Sequence, residues 1–403
     1  MSARTAIVWV ATLAGAFGLG WWAASPPGVA PERMAALIDQ ALDEAEPLAR
    51  ARLISRVCES LDATNVEEAM RVIEAEPRIT ESEIRLFMYA WTRFDPEAAF
   101  NAARHSKQNL IRREGAAAAT YHWAQENPKA ALYWVETIED KTFREFLTEN
   151  LITGWVLSGE RESAAFYIAG LPRGTLRKLQ TTLLLQEYLK EGPEAAVRWA
   201  DSLPESAPVD YRHEVFQRVA KQVAMRDPEL AGRWIAPHLG QNYARNTLRL
   251  IANEWLEQDP PNALEWLLSL PDDPQRDRIL FTSFNRWYDI DALSAQKWLE
   301  AEAIEAVHDP VLEAFARRLS ERAPRKAVYW AEMIQDAARR ERALVLVGQN
   351  WYRKSPDAAR AWAAESTLSE QARAAVLNPP TLGEGAQTEE DLESLEDGLD
   401  EDL

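Results

Sequence analysis

The sequence predicts an all-α chain: an α-solenoid of about ten helix–turn–helix repeats with a period of about 32 residues, preceded by an N-terminal transmembrane helix. Three observations lead there. Ten alanines recur at one position of a repeating corner, and an aromatic ring follows three residues later in eight of the ten units. No run of alternating apolar and polar residues survives in the 403 positions, which leaves strands without support.

The unit is clearest over residues 255–271. Asp259 stands before Pro260, and an Asp side chain accepts from the free amides of a first helical turn. Pro tolerates that position because its missing N–H has no partner there anyway. Trp255 closes the preceding helix, so the stretch is the corner of a helical hairpin. Corners of this kind fall at Asn65, Asp95, Asn127, Glu160, Gly192, Asp227, Asp259, Asp291, Ala323 and Ser355, spaced 30 to 35 residues apart. Four residues after each stands Ala69, Ala99, Ala131, Ala164, Ala196, Ala231, Ala263, Ala295, Ala327 or Ala359. Seven after it come Trp134, Trp199, Trp234, Trp266, Trp298, Trp330 and Trp362, with Tyr167 in an eighth unit.

A small residue lets two helices approach, and a bulky ring one turn later fills the space between them. Leu171-Pro172, Leu203-Pro204 and Leu270-Pro271 stop the shorter helix. A longer one of about four turns follows, for example over residues 273–288. A hairpin of this size cannot bury its own apolar face, so neighbours stack to make a common core. Over residues 31–373 the pattern resembles the tetratricopeptide-repeat class, with its period in the low thirties, two antiparallel helices and signature Ala and aromatic positions. It departs by lacking the Leu-Gly pair of the first helix and by setting Ala-x-x-Trp directly after Asp-Pro. The resemblance implies protein–protein scaffolding and no catalytic residues.

Taken in order, residues 1–4 form a short cytoplasmic N-terminus. Residues 5–24 carry no charge and are long enough to cross a bilayer core, with Trp21 and Trp22 at the far end where an aromatic belt belongs. Arg4 on the short side places the remainder outside the cytoplasm by the positive-inside rule. The rival is a cleaved secretory signal, but cutting after Ala24 puts Trp22 at the third position and cutting after Ala30 puts Pro31 next. An uncleaved anchor is therefore expected. Ala14/Gly18 and Ala16/Gly20 would also allow weak homo-oligomer contacts through it. Residues 25–31 are a linker, residues 32–377 the repeat domain with a less regular helical pair at its start, and residues 378–403 a disordered acidic tail.

Charge and composition exclude several functions. The net charge is −19, of which the tail holds −10 and residues 31–373 another −10. Nucleic acid needs a basic footprint, so no nucleic-acid partner is expected. Cys58 is the single cysteine and reads as a core residue. The five histidines are scattered over the repeats, and His213-Glu214 lacks the second His of a zinc motif because Gln217 stands there. No phosphate loop or nucleophile elbow occurs, and neither a cofactor nor a metal is expected. The acidic end at residues 397–402 lacks the spacing of a calcium loop.

One row departs from packing. Seventeen residues after the corner stand Arg112, Arg144, Arg177, Arg276, His308 and Arg340, which stacking would align as a basic stripe facing a partner. The competing account pairs Arg144, Arg276 and Arg340 with Asp140, Asp272 and Asp336, four residues earlier on the same helix. The chain is accordingly expected to be no enzyme but a membrane-anchored periplasmic scaffold, binding a protein or peptide in its groove. An enzyme acting on cell-envelope glycan is the alternative, since acidic pairs are abundant and such hydrolysis needs two carboxylates. A purely structural, self-assembling solenoid is the other.

Overall fold

The computed structural model describes residues 29–244 and 246–380. Every regular element among them is helical, and 22 α-helices follow one another from Pro31 to Leu377. They fall into two compact units that meet between Glu187 and Tyr188. The first holds α1 (Pro31–Asp43), α2 (Pro47–Glu59), α3 (Val66–Ala75), α4 (Glu81–Thr92), α5 (Pro96–His105), α6 (Ala116–Glu126), α7 (Pro128–Glu136), α8 (Lys141–Leu157), α9 (Arg161–Ala169) and most of α10 (Thr175–Lys190). The second holds α11 (Pro193–Asp201), α12 (Val209–Ala224), α13 (Pro228–Ile235), α14 (Thr247–Gln258), α15 (Pro260–Ser269) and α16 (Pro274–Ile290). It continues through α17 (Ala292–Ala301), α18 (Asp309–Ser320), α19 (Pro324–Glu332), α20 (Ala337–Lys354), α21 (Pro356–Glu365) and α22 (Glu370–Leu377).

The corner predicted at Asp259 is a single residue that ends one helix and begins the next. Its N–H donates to the Trp255 carbonyl at 2.8 Å, which closes α14, while its carboxylate accepts from the Asn262 N–H at 3.3 Å and caps α15. Asp95, Asn127, Asp227 and Asp291 repeat the cap with φ near −145° and ψ near 80°. Ser355 adopts the same backbone without the side-chain bond. Ala323 has a similar backbone and no cap, and three corners differ more: Gly192 turns through φ 117°, Glu160 has ψ 50° and makes no side-chain cap, and Asn65 has ψ −12° and makes none.

Long helices pack on the next long helix, α4 on α6 and α6 on α8 in the first unit, and α12, α14, α16, α18, α20 and α22 in succession in the second. Short helices such as α7, α13, α15 and α19 lie against the long helix on either side. This repeat-like stacking is compatible with a helical solenoid. All ten corner alanines sit at the contacts and are at most 1 % exposed. The two tryptophan positions are unequal. Rings that close a long helix (Trp91, Trp123, Trp155, Trp255, Trp287 and Trp351) are all buried. Of the seven rings three residues after the alanine, only Trp199 and Trp234 are buried, and the others are half-covered. The two sets stack at the corners, Trp255 on Trp266 at 5.2 Å and Trp351 on Trp362 at 5.8 Å between ring centres. Where two such rings meet, the half-covered outer ring lies over the buried inner one, whereas Trp199 and Trp234 are themselves buried in the core as expected.

Cys58 lies in the first unit's core, and burial pushes its thiol up to about 12. No helix among the described residues is long and apolar enough to cross a membrane. The anchor at residues 5–24 and the tail beyond residue 380 lie outside the described residues.

Candidate functional site

The arginines seventeen residues after the corner point at backbone. Arg144, Arg276 and Arg340 donate from Nη1 to the carbonyls of Ile138, Leu270 and Ile334, six residues earlier, at 2.6, 3.0 and 2.7 Å. Those carbonyls end the short helices α7, α15 and α19, where the last turn leaves acceptors without partners. Arg112 reaches the Ser106 carbonyl at 3.5 Å in the same manner. Arg177 is buried. His308 is buried too, its Nδ1 accepting from the Glu305 N–H at 3.2 Å.

The helical ion pair forms only at Arg276, whose Nη2 lies 2.5 Å from Asp272 and 2.7 Å from Asp277. Asp140 and Asp336 instead cap α8 and α20 by accepting from the N–H groups of Phe143 and Arg339. Arg144, Arg276 and Arg340 thus each fasten a short helix to the long helix after it. Arg276→Met is expected to lower stability by about 2–3 kcal/mol, the scale of a buried charge-assisted hydrogen bond. Urea denaturation checks this, and unaltered stability would contradict a fastening role for the buried contact to the Leu270 carbonyl.

A different set of residues forms a cleft. Phe281 on α16, Glu313 and Arg317 on α18, and Arg342, Ala343 and Leu346 on α20 enclose about 130 Å³ on the long-helix layer of the second unit. Arg339 ties the three helices together, with Nη2 at 2.7 Å from Asp277 on α16 and Nε at 3.4 Å from Glu313 on α18. Burial pushes the Glu313 carboxyl above its ordinary range despite Arg339, Arg342 and Arg317 nearby. Burial likewise holds the Arg317 guanidinium below its ordinary value. Arg342 is exposed and has no hydrogen bond or ion pair among the described residues. Asp277 is engaged by both Arg276 and Arg339, so the charge the cleft offers outward is positive.

Sequence reasoning missed this set, although Arg342 is only two residues past Arg340. Two residues turn a helix by about 200°, so one arginine faces the short helix and the other faces out. No constant offset from the corner marks the cleft, because three successive helices contribute at different heights.

The first unit holds a second polar group, around His122. Its ring lies 4.5 Å from that of Tyr89 and 4.9 Å from that of Tyr121, with Nδ1 3.4 Å from Gln125 Oε1. Burial, helped by the charge of Arg85, lowers the imidazole from 6.5 to about 4. The unfolded chain then takes up a proton near pH 6.5 that the folded chain refuses until about pH 4. Stability from this group is full above pH 6.5 and is lost as pH falls through that window, by up to about 2 kcal/mol at pH 5. His122→Gln should accordingly lose about that much less than the parent chain between pH 7.5 and pH 5 in urea denaturation. Identical pH dependence of the two chains would refute the assignment.

No group of three or more His, Cys, Asp and Glu residues among the described residues is placed to hold a metal. Fold and cleft together define an all-α helical-repeat protein with a charged recess on its long-helix layer. Compared with protein-family models, curated proteins and solved structures, the chain matches none.

Proposed function

We propose that this protein is a tetratricopeptide-like adaptor that binds an acidic peptide segment of a partner protein along its long-helix layer. The carrying observation is the cleft between α16, α18 and α20, which combines an apolar floor of Phe281, Ala343 and Leu346 with the outward charge of Arg342. Grooves of stacked helices take up extended or helical segments through a few apolar anchors, and fixed charges select among them. Arginine suits the task because its planar fork meets a carboxylate with two hydrogen bonds.

The test uses three fluorescent peptides with identical leucine spacing and acidic, neutral or basic intervening residues, titrated against the chain ending at Pro380. The acidic peptide should bind tightest, its advantage should shrink with added salt, and Arg342→Glu should remove it. Equal binding of all three peptides, or indifference to that substitution, rejects the reading.

Membrane attachment through residues 5–24, with the repeats on the extracytoplasmic side, belongs to the same proposal and rests on the uncharged run alone. The chain should stay with membranes after an alkaline wash and retain its first 24 residues by mass. A soluble form beginning between Ser25 and Glu32 would replace the anchor by a cleaved signal.

A further inference from the structure

We infer that the first occupant of this cleft is the protein's own acidic segment, residues 389–403, folded back in cis over α20. The inference rests on the cleft being a peptide site, and three observations carry it.

The first is where the described chain ends. Pro380 accepts from Arg353 Nη2 through its carbonyl at 3.1 Å, so the last described residue lies against the surface of α20. Arg353 and Arg342 are eleven residues apart on that helix, about 16 Å along its axis. Eleven residues also return the helix to within about 20° of its starting direction, so the two arginines share one face with Leu346 between them.

The second is length. Glu389 lies nine residues beyond Pro380, a span of up to about 30 Å when extended. The cleft is therefore within reach of residues 389–403 without any change in α20.

The third is complementarity. Residues 389–403 carry nine carboxylates and no basic side chain. Leu392, Leu395, Leu399 and Leu403 recur among them at intervals of three or four. Apolar residues at that spacing are the pattern by which a segment lays one face into a helical groove. Here the floor offers Phe281, Ala343 and Leu346, and the rim offers Arg342, with Arg353 at the segment's root. Glu313 is the one carboxylate in the lining, and Arg339 lies against it at 3.4 Å. The contact is electrostatic at its edge, so ordinary salt weakens it and an acidic partner segment competes for the same place.

Zero-length coupling on the full chain tests this. With Arg342→Lys, a water-soluble carbodiimide should join position 342 to carboxylates within residues 389–402, as read by mass spectrometry. The yield should be independent of protein concentration and should collapse in 1 M salt, while Lys326 on α19 should stay uncoupled. Absence of the product, or equal coupling at Lys326, overturns the proposal. A yield that rises with concentration also overturns it, naming a second copy as the occupant.

A synthetic peptide of residues 389–403 supplies the other arm. It should bind the chain ending at Pro380 at least about tenfold tighter than the full chain, because the tethered copy competes at high effective concentration. Tight, equal binding to both chains would sink the cis contact and leave the acidic-peptide reading standing. No binding to either chain, with no coupled product, would reject both.

Discussion

Gly154→Ala is expected to be among the most damaging single-methyl changes in the molecule. A Cβ at Gly154 on α8 would lie 2.2 Å from the backbone carbonyl oxygen of Tyr121 on α6 and 3.0 Å from Ala124 Cβ. A side chain in the way can change rotamer, but a helical carbonyl cannot, so α6 and α8 must separate. These helices pack closely where Tyr121 and the fully buried Ala124 face Gly154, and moving them apart opens that seam. Overpacking of a tight core costs about 1–3 kcal/mol, and an unyielding backbone puts this case at about 3 kcal/mol or more. Gly174→Ala is the control, since a Cβ there meets nothing within 4 Å. Urea denaturation of the two variants measures the difference. A Gly154→Ala chain within 1 kcal/mol of its parent would contradict the close approach of α6 and α8.

Trp255→Ala should cost about 3–5 kcal/mol through loss of a large buried ring and the cavity left behind. Trp255 is 6 % exposed, stacks on Trp266, and fits because position 232 is glycine, where a Cβ would stand 3.0 Å from Trp255 Cζ3 and 2.7 Å from Trp266 Nε1. Trp266 is half-covered, so Trp266→Ala should cost less. Because helices of a repeat array contact mainly their neighbours, lost hydrogen-exchange protection in Trp255→Ala should concentrate in α13 to α16. Uniform loss throughout the second unit would argue against such local coupling, and a larger loss at Trp266 would reverse the assignment of inner and outer rings.

Much of the helical architecture was legible because its determinants are local. Asp259 followed by Pro260 defines a helix start from side-chain reach and a fixed φ, and the same corner recurs at Asp95, Asn127 and Asp227. The helix expected over residues 273–288 spans Pro274–Ile290, with Asp273 as its cap. The recurring alanines announced where helices touch, since few other residues allow so short a separation. The arginine row was visible as a regularity, but its partners were not. A sequence shows the Asp four residues before Arg340, whereas the Ile334 carbonyl becomes an acceptor only once α19 has stopped and turned back.

The sequence by itself determined the all-α class, the period near 32 and the corner residues, because capping, proline and alanine act within one or two turns of chain. The tertiary structure alone decided which tryptophan of each pair is inner and which arginine faces the neighbouring helix or the solvent. It also decided that Phe281, Glu313, Arg342 and Leu346 meet in one recess. These depend on the height and rotation of each long helix against the next, quantities set by the fit of side chains across an interface and encoded in no single stretch of sequence.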